Sequence, residues 1–172
     1  MKRKHKCYID VTKEYFEMAT PNKGNIDKED GYPNNSNEED IARIIHRELG
    51  GDILLINENL TVRGHSPDYK WNEELWDLKS PESVKSFTKR MRKGIHQIES
   101  APGGLIVRLP DNIRFTDLID TAWRRWKTTA QKKTTSLDII FIQNDKIAKI
   151  IRFNKWKSTP WTLSPGCAFT SI

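Results

Sequence analysis

Pro67-Asp68-Tyr69-Lys70-Trp71-Asn72-Glu73-Glu74-Leu75-Trp76-Asp77-Leu78-Lys79 reads as a β-hairpin turning at Asn72-Glu73. In that register Trp71 pairs with Glu74, Lys70 with Leu75, Tyr69 with Trp76 and Asp68 with Asp77. Side chains alternate faces along a strand. Tyr69, Trp71, Trp76 and Leu78 therefore share one face, a candidate core. Asp68, Lys70, Asp77 and Lys79 share the other, with two carboxylates opposite each other, roughly 5 Å apart at Cβ. A two-residue turn prefers Asn-Gly because both central residues need positive φ. Glu73 is poorly suited to it, so a longer loop that slips the pairing is the alternative.

Two opposed acids repel, and burial would raise a pKa further. A divalent cation resolves the conflict: Mg²⁺ takes oxygen ligands, commonly one or two carboxylates with waters and substrate phosphates. Such a metal stabilises charge developing on a phosphate and lowers the pKa of an attacking water. Lys79 would orient that water or neutralise the transition state. Asp68 and Asp77 are thus candidate metal ligands. A surface hairpin of alternating charge has a similar pattern, and the rest of the chain must weigh between the two.

The 172 residues carry a net charge of +6, and 30% of them are charged, with both signs interspersed. This length is enough to bury a core, and the charge favours a polyanionic partner. Cys7 and Cys167 lie near the two ends without zinc-type spacing, so neither a disulfide framework nor a thiolate metal site is indicated. No apolar run approaches membrane-spanning length. Met1-Lys2-Arg3-Lys4-His5-Lys6 has the charge of a secretory leader but not the apolar stretch after it. The expected place of action is an aqueous, cytoplasmic one.

Residues 1–36 hold a short helical stretch, Lys13 to Ala19, among turn-forming runs such as Pro21-Asn22-Lys23-Gly24 and Gly31-Tyr32-Pro33-Asn34-Asn35. They read as an N-terminal arm or linker before a main domain at 37–172. Ser36 or Asn37 can cap a helix to about Leu49. Its buried stripe is Ile41, Ala42, Ile45 and Leu49, and Gly50-Gly51 stop it. Glu38 lies one turn above Ile41 and Ala42 and points toward the sheet. Glu48 lies near the stripe and Glu39 at its flank. A strand, Asp52 to Ile56, precedes the hairpin.

Ser80-Pro81 then opens a helix from about Glu82 to Ile98, with Val84, Phe87, Met91, Ile95 and Ile98 inward. Lys85, Lys89, Arg90, Arg92 and Lys93 crowd its remaining surface with no acid among them. A charge run is ordinarily a solvated face. This one is more one-sided than solubility needs, and phosphate contacts of this kind give sequence-independent affinity. These five are the candidate substrate-binding residues. A strand at Leu105 to Leu109, a helix from about Thr116 to Gln131 with basic Arg124, Arg125, Lys127, Lys132 and Lys133, and strands Leu137 to Gln143 and Lys146 to Phe153 about Asn144-Asp145 complete the chain. The expected class is α/β, a mixed sheet flanked by helices.

The order αβββαβ, with an acid on the first helix, Pro67-Asp68 before one strand and Asp77-Leu78-Lys79 on the next, resembles the PD-(D/E)XK nuclease superfamily, whose core is restriction-endonuclease-like. Ser66-Pro67-Asp68-Tyr69, Trp76-Asp77-Leu78-Lys79, the run from Glu38 to Ala42 and Gln97 look like the tRNase domains at the C-termini of contact-dependent growth inhibition toxins. The match spans roughly residues 37 to 153. That family usually has Asn-Gly at the hairpin turn, and Asn72-Glu73 departs from it.

The resemblance implies a metal-dependent ribonuclease toxin domain acting on tRNA, using Mg²⁺ with Mn²⁺ or Zn²⁺ as alternatives, and a cognate immunity protein as partner. Carried over, Asp68 and Asp77 bind the metal and Lys79 assists the water. Glu38 completes the acidic cluster directly or through a water, with Glu39 and Glu48 as other possibilities. Gln97 positions the lysine or the scissile phosphate. His65 and His96 are not counted. A DNA endonuclease of the same fold and a non-catalytic basic RNA-binding module are the other readings.

Overall fold

The computed structural model describes residues 8–60, 66–97, 103–129 and 136–154. The chain runs β1 (Tyr8–Asp10), α1 (Thr12–Met18), β2 (Ile26–Lys28), α2 (Ser36–Glu48), β3 (Ile53–Leu55), β4 (Tyr69–Trp71), β5 (Glu74–Lys79), α3 (Val84–Gln97), β6 (Gly103–Arg108), α4 (Phe115–Thr129), β7 (Ser136–Gln143) and β8 (Lys146–Asn154). The strands form one eight-stranded sheet in the order β1-β8-β7-β6-β5-β4-β3-β2. The three neighbours β5, β6 and β7 are parallel, and β3, β4 and β5 are antiparallel. This is the mixed α/β sheet expected from the sequence.

The alternation of side chains divides the interior in two. Tyr69, Trp71, Trp76 and Leu78 pack with Ile106, Ile140 and Ile150 beneath Ile41, Ala42 and Ile45 of α2, and α1 lies against the same face. Leu105, Val107, Leu137, Ile139 and Phe141 point the other way, against Phe87, Met91 and Ile95 of α3 and Leu118, Ala122 and Trp126 of α4. Phe87 and Met91 have no exposed surface, and each such burial contributes roughly 2 kcal/mol. β6 and β7 are apolar on both faces because helices cover both.

The hairpin keeps its two-residue turn: Trp71 is opposite Glu74, Lys70 opposite Leu75 and Tyr69 opposite Trp76. Asn72 and Glu73 take φ of 47° and 69°, so the register does not slip. Asn144-Asp145 turns β7 into β8 in the same way, at φ of 52° and 53°.

Several boundaries differ from expectation, and three of the differences have an identifiable cause. Asn35, not Ser36 or Asn37, caps α2, accepting the backbone N–H of Asn37 at 3.2 Å and of Glu38 at 3.4 Å. Helix α3 starts at Val84 rather than Glu82. Ser83 Oγ accepts the Ser86 N–H at 3.1 Å while Ser86 Oγ accepts the Ser83 N–H at 3.1 Å, a reciprocal cap that outcompetes the Ser80-Pro81 start. Residues 8–36, expected as an arm or linker, supply both edge strands: β1 pairs with β8 and β2 with β3. Val11 and Tyr32 are buried in the α2-side core. Strands of three residues leave too little pattern to read. Cys7, His65, Ile98, Gln131, Lys132, Lys133 and Cys167 lie outside the described residues.

The strain at Glu73 has a measurable consequence. A left-handed residue with a Cβ is disfavoured by roughly 1–2 kcal/mol, and glycine recovers part of this against its greater freedom when unfolded. Glu73 pairs with Lys70 at 2.5 Å, but its side chain is 86% exposed, and such pairs contribute little. Glu73→Gly should raise the stability to urea by about 0.5–1 kcal/mol; a loss would mean that the ion pair outweighs the backbone.

Candidate functional site

β5 places Trp76 and Leu78 under α2, and the same alternation sends Asp77 and Lys79 to the α3 side. Asp68, immediately before β4, accepts the Leu78 backbone N–H through Oδ2, which brings its carboxylate beside that of Asp77. Asp77 is wholly buried, and Asp68, Lys79 and Gln97 are all under 10% exposed. The Lys79 ammonium lies against Asp77 Oδ2 as an ion pair. Neither Asp77 oxygen accepts a well-directed hydrogen bond from the described residues.

A second contact fixes the lysine. Lys79 Nζ donates to Gln97 Oε1 at 3.0 Å, and Gln97 Nε2 donates to the Ser66 carbonyl at 2.8 Å. The last turn of α3 therefore ties the lysine of one strand to the Ser66-Pro67 segment that presents Asp68. Gln97 was expected beside the lysine, and it is. Helix α3 can come this close because residue 94 is glycine. A Cβ there would lie 2.8 Å from Asp77 Oδ2 and 2.7 Å from Leu105 Cδ2.

Burial is the largest force on the two acids. It raises the pKa of both Asp68 and Asp77 above the ordinary carboxylate range, and the charge of Asp77 raises Asp68 further. Lys79 pulls both back in part. One ammonium facing two buried carboxylates leaves the cluster one positive charge short. A proton or a cation is needed to make up the difference.

Glu38 stands in the first turn of α2. Tyr32 Oη donates to its Oε2 at 2.8 Å, and Asn35 Nδ2 binds its Oε1. Its pKa is raised by burial and then by the negative charges of Glu58 and Asp77. It is close enough to act on Asp68 and Asp77 through its charge, while its oxygens are held by Tyr32 and Asn35. Glu39 pairs with Lys28 and Arg43 at the surface. Glu48 accepts the Ile147 N–H at 3.1 Å at the far end of α2. Among the described residues, no group of three His, Cys, Asp or Glu side chains is placed to hold a metal ion. Asp68 and Asp77 are the pair that could hold one, and buried carboxylate oxygens suit a hard cation such as Mg²⁺.

Lys85, Lys89, Arg90, Arg92 and Lys93 are all exposed on the outer face of α3, the helix whose inner face closes the cluster; Arg90 also comes within 3.8 Å of Glu82. His96 is exposed and has no part in the network. Sequence reasoning missed Gly94, the Ser66 carbonyl and Tyr32. Gly94 carried a signal, since glycine inside a helix costs about 0.5–1 kcal/mol relative to alanine and implies a close neighbour.

No protein-family model matches the chain, and no curated protein matches it. Among solved structures, it is similar to a CdiA-CT/CdiI toxin and immunity complex from Burkholderia pseudomallei. The identity is 15%, the match covers 77% of this chain and 99% of that one, and the TM-score is 0.40. A likeness this shallow carries no argument about activity.

Two outcomes follow from the geometry. Gly94→Ala should cost about 1–3 kcal/mol, as overpacking does, seen as a lower urea midpoint; an unchanged midpoint would mean that α3 can retreat freely. Asp68 and Asp77 hold their protons more tightly folded than unfolded, where Asp titrates near 4. That stabilisation is present below pH ~4 and is lost as the pH rises. In chelator, the wild type should therefore lose more stability between pH 5 and pH 8 than Asp68→Asn, in which the coupled pair is removed. Parallel pH profiles would show that the acids are solvated.

Proposed function

We propose that this chain is a metal-dependent endoribonuclease of the toxin type, with tRNA as substrate. The observation that carries the reading is the buried Asp68–Asp77 pair braced by Lys79. Opposed carboxylates without a matching set of cations add nothing to stability, and their assembly is explained by chemistry on a phosphodiester. Asp68 and Asp77 would hold a divalent cation, Mg²⁺ first and Mn²⁺ next. Among the described residues no His or Cys joins them, which makes Zn²⁺ a poorer fit. Bound there, the metal would neutralise phosphate charge and acidify a water.

The chain's own residues have the remaining tasks. Lys79 keeps its ammonium beside Asp77, where it can orient the attacking water or stabilise the charge that develops on phosphate. Gln97 prevents the lysine from swinging away by tying it to Ser66. Glu38, polarised by Tyr32 and Asn35, adds negative charge at the edge of the cluster and can act on it through a water. Lys85, Lys89, Arg90, Arg92 and Lys93 offer a sequence-independent hold on the sugar-phosphate backbone.

The choice of tRNA, a superfamily core of PD-(D/E)XK type and an immunity protein that covers the site rest on the motif resemblance of Ser66-Pro67-Asp68-Tyr69 and Trp76-Asp77-Leu78-Lys79. The β3-β4-β5-β6 segment of the sheet, with α2 before it and α3 between β5 and β6, is the order that this resemblance requires.

The test incubates the purified chain with total tRNA and, separately, with supercoiled plasmid, each with Mg²⁺ and with chelator. Discrete tRNA fragments are expected only with Mg²⁺. Lys79→Ala should slow cleavage on the order of 100-fold or more, and Asp77→Asn should abolish it while the circular dichroism spectrum stays native. Nicked plasmid beside intact tRNA would reassign the substrate to DNA. Intact tRNA and plasmid under every metal would favour a non-catalytic RNA-binding module.

A further inference from the structure

The opposite face of the sheet, away from Asp68 and Asp77, holds a cavity of about 640 Å³ lined by Tyr15, Trp71, Glu74, Trp76, Asp138 and Arg152 among others. That volume is within the range of small-molecule pockets. Strand register builds it. Trp76, Gly104, Asp138 and Arg152 lie side by side on β5, β6, β7 and β8, and Glu74 is one step before Trp76 on the same face. Gly104 has no side chain, so the Trp76 indole leans over β6; a Cβ on Gly104 would meet its Cζ3 at 2.6 Å.

The walls are aromatic, with Trp71 and Trp76 at 5.3 Å between ring centroids and Tyr15 and Trp71 at 6.3 Å. The polar groups divide into satisfied and unsatisfied. Asp138 is held by Arg152 through two contacts of 2.8 Å and by Tyr15 Oη at 2.6 Å. Arg152 also pairs with Glu14 at 3.1 Å. Glu74 is half-buried and has neither hydrogen bond nor ion pair among the described residues. Burial and then the charge of Asp138 push its carboxyl toward the protonated form, and the charge of Arg152 opposes them in part. The indole N–H of Trp76 also has no hydrogen-bond partner among the described residues, but with no exposed surface it lies out of a ligand's reach.

Glu74 and Asp138 against Arg152 leave the cavity lining one negative charge in excess, in a chain whose net charge is +6. A carboxylate without an ion pair, lining a cavity with the Trp71 and Tyr15 rings, is the chemistry that receives an organic cation.

We propose that this cavity is a second binding site, for a small ammonium or guanidinium compound. Glu74 pairs with the cation, and Trp71 and Tyr15 contact it through their ring faces. The site is independent of the nuclease reading and involves none of its residues.

Calorimetry and indole N–H resonances of the full chain would be followed with N-acetyl-argininamide and N-acetyl-lysinamide. The uncharged N-acetyl-norleucinamide is the control. Saturable binding of at least one cation, with a Trp indole shift and at least tenfold weaker binding of the control, is expected. Glu74→Gln should weaken the cation at least tenfold without lowering the urea midpoint. Failure of both cations to saturate the wild type would overturn the proposal, as would equal affinity for Glu74→Gln, which would place the cation on the exposed rim acids. RNA cleavage unchanged in Glu74→Gln is expected in either case, so the two readings stand or fall separately.

Discussion

Two carboxylates buried beside each other cannot both stay charged unless something positive answers them, and much of this molecule is arranged around that requirement. Lys79 answers one charge and is itself held by Gln97. Gln97 can reach it only because α3 sits against β5 and β6 without a side chain at Gly94. Ser66 closes the circuit by accepting from Gln97, so the acid before β4 and the lysine at the end of β5 are located by one amide. Each member is uninformative alone. Together they define a place where a charge is missing.

The parts of this arrangement that could be read from the sequence are those set by the period of a strand. Trp71, Trp76 and Leu78 fixed which face is core, and the acids followed by alternation, so the hairpin register needed no tertiary information. The turn residues were the weak link, because Glu73 is a poor left-handed residue. The register survives because burying Tyr69, Trp71 and Trp76 outweighs the strain at one exposed position, whereas a slip of one residue would turn all of them outward.

Other features were hidden for identifiable reasons. Asn35, Ser36 and Asn37 are all acceptable caps, and local chemistry does not rank them. At α3 the Ser80-Pro81 start was displaced by Ser83 and Ser86, whose reciprocal hydroxyl contacts decide where the helix begins. Strands β1 and β2 exist because a neighbour supplies their hydrogen bonds, and three residues carry no period. The acid nearest the pair was harder still. Glu38, Glu39 and Glu48 share one helix, and only the tertiary structure shows that Glu39 faces surface cations, Glu48 anchors β8, and Glu38 feels the charge of Asp77.

The pairing of β1 with β8 has a kinetic side. Tyr8 lies opposite Phe153 and Asp10 opposite Ile151, so one edge of the sheet joins segments from far apart in the sequence. Contacts of such long sequence separation must pay loop-closure entropy before they return any stability, which slows folding. During synthesis, Tyr8 to Asp10 wait unpaired until almost the whole described chain has left the ribosome. The β4–β5 hairpin, a local structure, can form long before the sheet is complete, so a molecule still on its way to the native state could already carry its acids in register while the edge that finishes the sheet is open.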